Sequence, residues 1–411
     1  MPEFLQLHSV SDATKLFFET LGQITPASEM IETIHSVGRI TAEPVIAGEY
    51  LPPFSRSAMD GYAVRAADTF GASESMPGYL TIVGELPMGA KPTLALHSGE
   101  TALIHTGGML AEGADAVVML EQSHATPQGE LEIFKPVSTG ENVIFKGEDV
   151  KPGDVVIPAG KIIRPAEVGG LFALGFTRVR VAKKPLFAIL STGDEVIPPD
   201  QTPEPGQVRD INSESLAALV EQSGGTARLF PIIPDQRGMM EKSIKEAYEQ
   251  ADVVLVTAGS SASSRDITAD VIQGLGEPGV LVHGINIRPG KPTILAVCNG
   301  KPVIGLPGNP ISAMVIAQFF VKPLVSWMMG KTDNPILPLI RATLTVNLAS
   351  QAGKEEWIPV KLIRKNDHYE AEPIFFKSNL IYQLSGADGL LKIHADETGK
   401  SANSEVEVLI Y

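Results

Sequence analysis

PLFAILS (185–191), SESLAALVEQSGG (213–225), ARLFPII (227–233), RGMMEKSIKEAYEQ (237–250), ADVVLVT (251–257) and DITADVIQGLG (266–276) follow one another between Lys184 and Lys331. Near-continuous apolar strands alternate with segments whose apolar residues recur at helical spacing. Strands of that composition are buried on both faces, so the pattern predicts a doubly wound parallel sheet covered by helices on each side. Ligands of such sheets bind beyond the carboxyl ends of the strands. The loops after Leu190, Ile233, Val256 and Leu306 are therefore where chemistry is expected.

On the amino-terminal side, residues 49–146 carry short apolar runs (Tyr79 to Val83, Thr101 to Ile104, Ala116 to Met119, Leu131 to Phe134) broken by Gly and Pro, which reads as a β-rich domain. Residues 1–48 show a helical pattern at Ala13, Leu16, Phe17 and Leu21, capped by Ser11 or Asp12 and ended by Gly22, and a second one from Pro26 to Gly38. A helix-like stretch after Pro165 within residues 147–183 returns the chain to them, giving a small helical or linker domain in two segments. Residues 333–411, with WIPVKLIR (357–364) and EVEVLIY (405–411), predict a small β-barrel, a sandwich being the alternative. The whole is a multidomain α/β chain with the doubly wound domain at 184–332.

A length of 411 residues fits several domains. With 33 Lys and Arg against 48 Asp and Glu, the net charge of −15 repels nucleic acid and anionic lipid, so neither is expected as a partner. One cysteine, Cys298, leaves no intramolecular disulfide and no multi-cysteine metal site. The first residues lack a secretory pattern and no run of 18 apolar residues occurs, so a cytoplasmic location is expected. An anionic substrate in so acidic a chain needs a local device: a backbone cradle, fixed cations or a divalent metal.

Several loops offer such devices. Thr192-Gly193-Asp194-Glu195 puts a hydroxyl and two carboxylates at a strand end, where they can bind Mg²⁺ or form an ordinary exposed turn. Asp210-Ile211-Asn212-Ser213 precedes a helix that Asn212 or Ser213 can cap. The hydroxyl-rich run Ala258 to Asp266, with Gly259, Ser260 and Ser261, ends at a helix start and suits an oxyanion. Arg288-Pro289-Gly290-Lys291-Pro292 fixes two cations, and Pro307-Gly308-Asn309-Pro310 opens the last helix of the domain. Asp60 in SAMDGYA, Thr106 in TGG and Asp149 in KGED are turn residues whose weight comes only from their combination with the sheet loops. His105 and His283 read as packing or surface histidines.

SAMDGYAV, KGED, STGDE, DIN, RPGKP and GLPGNP, in this order and spacing, resemble the molybdopterin molybdenumtransferases from about residue 8 to the end. The resemblance implies an elongated homodimer whose active site lies between the doubly wound domain of one subunit, of the molybdopterin-binding type, and the SAMDGYAV domain of the other. It implies insertion of molybdate, a co-substrate, into adenylated molybdopterin, with Mg²⁺ as cofactor and AMP released. A molybdopterin adenylyltransferase and apo-molybdoenzymes are the implied partners. By match to the family's motifs, Asp60, Asp149, Glu195, Asp235 and Asp266 are the catalytic candidates, with Glu195 and Asp266 on the metal. Thr106, Thr192, Gly193, Asp194, Asp210, Asn212, Gly259, Ser260, Ser261, Arg288, Lys291, Pro307, Gly308, Asn309 and Pro310 are the substrate-binding candidates. Arg288 and Lys291 stand where the family has two lysines. Thr257 to Ser263 departs from the family's S-G-G-V-S-V-G run, Ala258 and Ser263 replacing glycines. A non-catalytic pterin-binding scaffold, an inactive paralogue and a tungstate-specific insertase are the competing readings.

Overall fold

The computed structural model describes residues 7–258, 262–332 and 338–410, and side chains within these except at 258 and 262–266. Its central sheet orders the strands Thr226–Leu229, Leu186–Ser191, Val253–Ala258, Lys301–Pro307, Ile294–Cys298 and Pro278–His283. The first four are parallel, as the sequence pattern predicts. Ile294–Cys298 runs antiparallel to both of its neighbours and extends the sheet.

Side-chain alternation assigns each face its helices. Phe187, Ile189, Val253 and Leu255 face α1 (Val10–Leu21), α3 (Asn212–Gln222) and α6 (Pro310–Met328), through Phe17, Leu216 and Phe320 among others. Ala188, Leu190, Val254 and Val256 face α4 (Arg237–Gln250) and α5 (Ala262–Gln273), through Met240, Ile244 and Ile272. Among the described helices α6 alone is long and apolar enough to cross a membrane by length and composition; ten of its residues, Ile311 and Phe320 among them, are buried in this protein.

The amino-terminal segment differs from expectation in two respects. The α1 helix forms, with Ser9 rather than Ser11 or Asp12 as its cap, its Oγ accepting from Asp12 N at 3.0 Å. The stretch after Pro26 is not helical: Ser28–Glu32 is a strand followed by a single 3₁₀ turn. Its antiparallel partner is Arg178–Ala182. Within the strand the β-branched Ile31 suits a pleated edge better than a helix, and a distant strand supplies the hydrogen bonds. The α2 helix (Pro165–Ala173) and the Val45–Ile46 pairing with Val155–Ile157 complete a small core of Val45, Ile157, Ile163, Leu171, Val179 and Val181.

Residues 61–133 supply a six-stranded sheet in which Gly61–Val64 lies between Ala116–Met119 and Glu100–Ile104. A Cβ on Gly61 would sit 2.1 Å from the Val118 carbonyl oxygen, so only glycine fits there. At the carboxyl end, Glu355–Lys365, His368–Pro373, Leu339–Leu344, Glu405–Ile410 and Gly389–Ile393 close into a five-stranded barrel around Leu344, Val360, Leu391 and Val408. A short parallel pairing of Ile287–Arg288 with Glu355–Glu356, and the Phe319–Trp357 ring contact at 4.6 Å, join the barrel to the sheet domain.

Candidate functional site

From Leu186–Ser191 the chain passes through α3 to the strand on one side, then through α4 to the strand on the other. Its carboxyl end is therefore the topological switch point, where adjacent connections diverge and leave a crevice. Ser191 Oγ and Thr257 Oγ1 lie 3.0 Å apart on the two central strands, and Thr192 N donates to Thr257 O at 3.0 Å. Gly193 N then turns to Ile233 O at 3.1 Å, so the strand end spans its two neighbours. Gly193 has φ +143°, which a side chain would strain, and this turn aims Asp194 and Glu195 into solvent.

Three carboxylates gather there. Asp194 Oδ1 accepts Asp235 N at 3.1 Å. Burial first, and then the charges of Asp194 and Glu195, push the Asp235 carboxyl above its ordinary range. Asp210, buried at 7% exposure, takes both Ser213 N (3.1 Å) and Ser213 Oγ (2.5 Å) and so satisfies the start of α3 itself. That role was expected of Asn212 or Ser213. Asn212 instead reaches across the crevice, its Nδ2 donating to Gly308 O at 2.7 Å.

Between these groups lies a cavity of about 350 Å³ lined by Ser191, Thr192, Glu195, Asn212, Thr257 and Asn309, among others. Thr192 Oγ1 and Asn212 Oδ1 are buried with no hydrogen-bond partner from the described residues, and Asp235 Oδ1 shares that condition nearby. Buried polar atoms are rarely left unpaired, because doing so costs about 1–3 kcal/mol each. Asn309 is the residue before α6 and Pro310 its first residue, so the loop 307–310 brings a helix amino terminus to the cavity wall. A second cleft of about 510 Å³ adjoins on the Asp194 side, walled by Pro198, Pro199, Phe230 and Pro234.

The structure thus brings together Thr192, Gly193, Asp194, Glu195, Asp210, Asn212, Asp235 and Gly308 to Pro310, with Pro307 buried at the strand end behind them. Arg288 and Lys291 line neither cavity. The Arg288 guanidinium pairs at 3.1 Å with Glu356, a buried barrel residue whose other oxygen accepts Ser350 Oγ at 2.7 Å. Lys291 is exposed on the same loop. Gly259, Ser260 and Ser261, and the side chain of Asp266, lie outside the described residues.

In the 61–133 sheet, Asp60 Oδ1 accepts Thr106 N at 2.9 Å. That bond, with a smaller contribution from His105, holds the Asp60 carboxyl below the usual carboxylate range. His105 is a surface residue, as one of the two sequence readings had it, and it lies between Asp60 and Glu85. Asp149 is exposed in its turn, its N–H bonded to Leu51 O at 3.1 Å.

The residues present suit Mg²⁺ chemically: all donors are hard oxygens, and a divalent cation would relieve the repulsion on Asp235. Among the described residues no group of three or more His, Cys, Asp or Glu side chains is already arranged as a ligand set. Sequence reasoning missed His105, Glu85, Glu356 and the cavity residue Asn379; only His105, adjacent to Thr106, carried a signal.

Three family models match in series: "MoeA N-terminal region (domain I and II)" over residues 8–175, "Probable molybdopterin binding domain" over 188–327, and "MoeA C-terminal region (domain IV)" over 341–411. The chain is 32% identical to a molybdopterin molybdenumtransferase of Nostoc sp., covering 99% of this chain and 94% of that one. It is 30% identical to the enzyme of that name from Staphylococcus aureus, covering 91% and 89%. A solved molybdopterin biosynthesis moeA protein from Pyrococcus horikoshii OT3 superposes with a TM-score of 0.85 at 31% identity, covering 99% of this chain and all of that one.

Proposed function

The chain belongs to the molybdopterin molybdenumtransferases, transferases of molybdenum cofactor biosynthesis, and from that premise we propose that it inserts molybdate into adenylated molybdopterin, cleaving the pyrophosphate link to release AMP. The observation that carries this reading is the cavity at the switch point, whose Thr192 hydroxyl and Asn212 amide oxygen have no partner among the described residues. A polar, anionic substrate bearing hydroxyl and amino groups supplies what both atoms lack.

Residues 184–332 then form the substrate domain, with 1–48 plus 147–183, 49–146 and 333–411 as its three companions. Thr192 Oγ1 donates to a phosphate oxygen, and Asn212 Oδ1 accepts from a substrate N–H or O–H. The loop 307–310 with the α6 amino terminus seats the pterin side, and Gly259 to Ser261 cradle the oxyanion beyond Thr257. Glu195 and Asp266 would hold Mg²⁺, with Asp235 and Asp194 beside them; that ion supplies positive charge against the pyrophosphate. Lys291 offers its ammonium to molybdate, while Arg288 is steadied by Glu356. Catalysis is then positioning and electrostatics, with no covalent step on the protein.

Asp60, Thr106 and Asp149 face the same centre from the second subunit of a cytoplasmic homodimer. Their exposure in the isolated chain supports this, since a carboxylate serving a neighbour's site must lie on the surface. The adenylyltransferase that makes the substrate and the apo-molybdoenzymes that take the product are the partners. The test is AMP release from adenylated molybdopterin by the full chain with Mg²⁺ and molybdate. Release that depends on molybdate and is lost in Glu195→Gln supports the assignment. Tight pterin binding without release, in the presence of either molybdate or tungstate, turns the reading to a scaffold.

A further inference from the structure

His105 follows directly on the strand Glu100–Ile104, which lies between Gly61–Val64 and Gly78–Glu85 in one sheet. Neighbouring strands therefore deliver Asp60 and Glu85 to opposite edges of its ring. Nδ1 is 3.5 Å from Asp60 Oδ1, and Nε2 is 3.1 Å from Glu85 Oε1. The Asp60 oxygen nearest His105 is the one that accepts Thr106 N, so the backbone bond holds it on one side and the ring flanks it on the other.

An exposed array of this kind contributes little to stability, because water competes for each partner; the side chains of His105, Asp60 and Glu85 are 46%, 55% and 61% exposed. What it fixes is direction. A carboxylate on a short turn rotates freely about its side-chain bonds unless neighbours restrict it, and here a backbone N–H and a ring nitrogen do so together. The ring is itself restrained by Glu85. An imidazole with a proton on each nitrogen serves both carboxylates, whereas a neutral ring donates to one alone.

We propose that His105 is a positioning residue that holds the Asp60 carboxylate in its working orientation, with Glu85 fixing the ring from behind. The proposal rests on the reading in which Asp60 faces the reacting centre. Misplacing a reacting group by about 1 Å can cost about 100-fold in rate, so loss of one of two restraints on this carboxylate is expected to lower turnover by about tenfold without changing how substrate binds elsewhere.

The test is kcat and KM for AMP release by the full-length protein with Mg²⁺, molybdate and adenylated molybdopterin, comparing wild type, His105→Ala, His105→Asn and Glu85→Gln, with melting temperatures for each. H105A is expected to lose about tenfold in kcat, with KM and melting temperature close to wild type. H105N places an amide nitrogen near the position of Nδ1 and is expected to recover at least half of the lost activity; E85Q is expected to lose less than H105A. Wild-type kcat in H105A, or equal losses in H105A and H105N, overturns the proposal. If wild type itself releases no AMP, the functional reading fails and the contact is judged separately. The Asp60 carboxyl ¹³C resonance, assigned with Asp60→Asn, should then titrate at higher pH in H105A than in wild type, and an unchanged midpoint overturns the proposal.

Discussion

Thr192→Val separates stability from function at a single atom. Valine keeps the shape of threonine and removes only Oγ1, which is buried and has no partner among the described residues. A buried hydroxyl without a hydrogen bond costs about 1–3 kcal/mol, so its removal from the substrate-free protein is neutral or stabilising by up to about 1 kcal/mol, after allowing for a water that reaches it. In a domain of 150 residues or more that raises the melting temperature by at most about 4 °C. Turnover moves the other way. A hydrogen bond to a charged phosphate oxygen contributes about 1.5–3 kcal/mol, so kcat/KM for AMP release should fall about 10- to 150-fold. Thermal unfolding of the unliganded protein and steady-state AMP release measure the two arms. A destabilisation above about 1 kcal/mol would mean that Oγ1 already has a partner, and activity within twofold of wild type would remove Thr192 from the site.

Further expectations concern the frame of the molecule. Cys298 is fully buried and its thiol is pushed up to about 11 by that burial, so a disulfide reagent at pH 8 should label the native protein far more slowly than the protein in denaturant. Glu167 is held down to about 2, chiefly by its bond with Arg164. Its contribution is fully present above the ordinary value of 4.5 and is lost as pH falls toward 2; because Arg164 is exposed it amounts to no more than about 1 kcal/mol, and Glu167→Gln should flatten that part of the acid-unfolding profile. Gly61→Ala drives a methyl into the Val118 carbonyl and should cost several kcal/mol, on the order of other severe backbone clashes, seen as insoluble or early-melting protein.

The doubly wound core was legible because its signal is local: alternate residues such as Phe187 and Ala188 each need an apolar partner, and helices of the right spacing follow each strand. The strand Ser28–Glu32 was not, because its partner lies far along the chain and nothing in its own residues names it. The Thr192-to-Glu195 turn and the 307–310 loop were found from their place at strand ends, a topological rule. Arg288 was expected to meet an anion; its pairing with Glu356 depends on how the barrel docks, which no local pattern encodes. His105 escaped for the same reason, since Glu85 reaches it only through sheet pairing.

The long-range stitching of the small two-segment core also sets an order of events during synthesis. Thr33 Oγ1 donates to the carbonyl of Phe176, 143 residues later. At roughly 5–20 residues per second, a ribosome needs about 7–30 s to deliver that partner. Meanwhile the 61–133 sheet emerges with all six strands and can close within a chain whose first strand still waits. The strand Ser28–Glu32 stays without its Arg178–Ala182 partner until then, while Met30 and Ile34 remain exposed even in the finished protein. Slowing translation between residues 49 and 146 lengthens that wait without altering a single native contact.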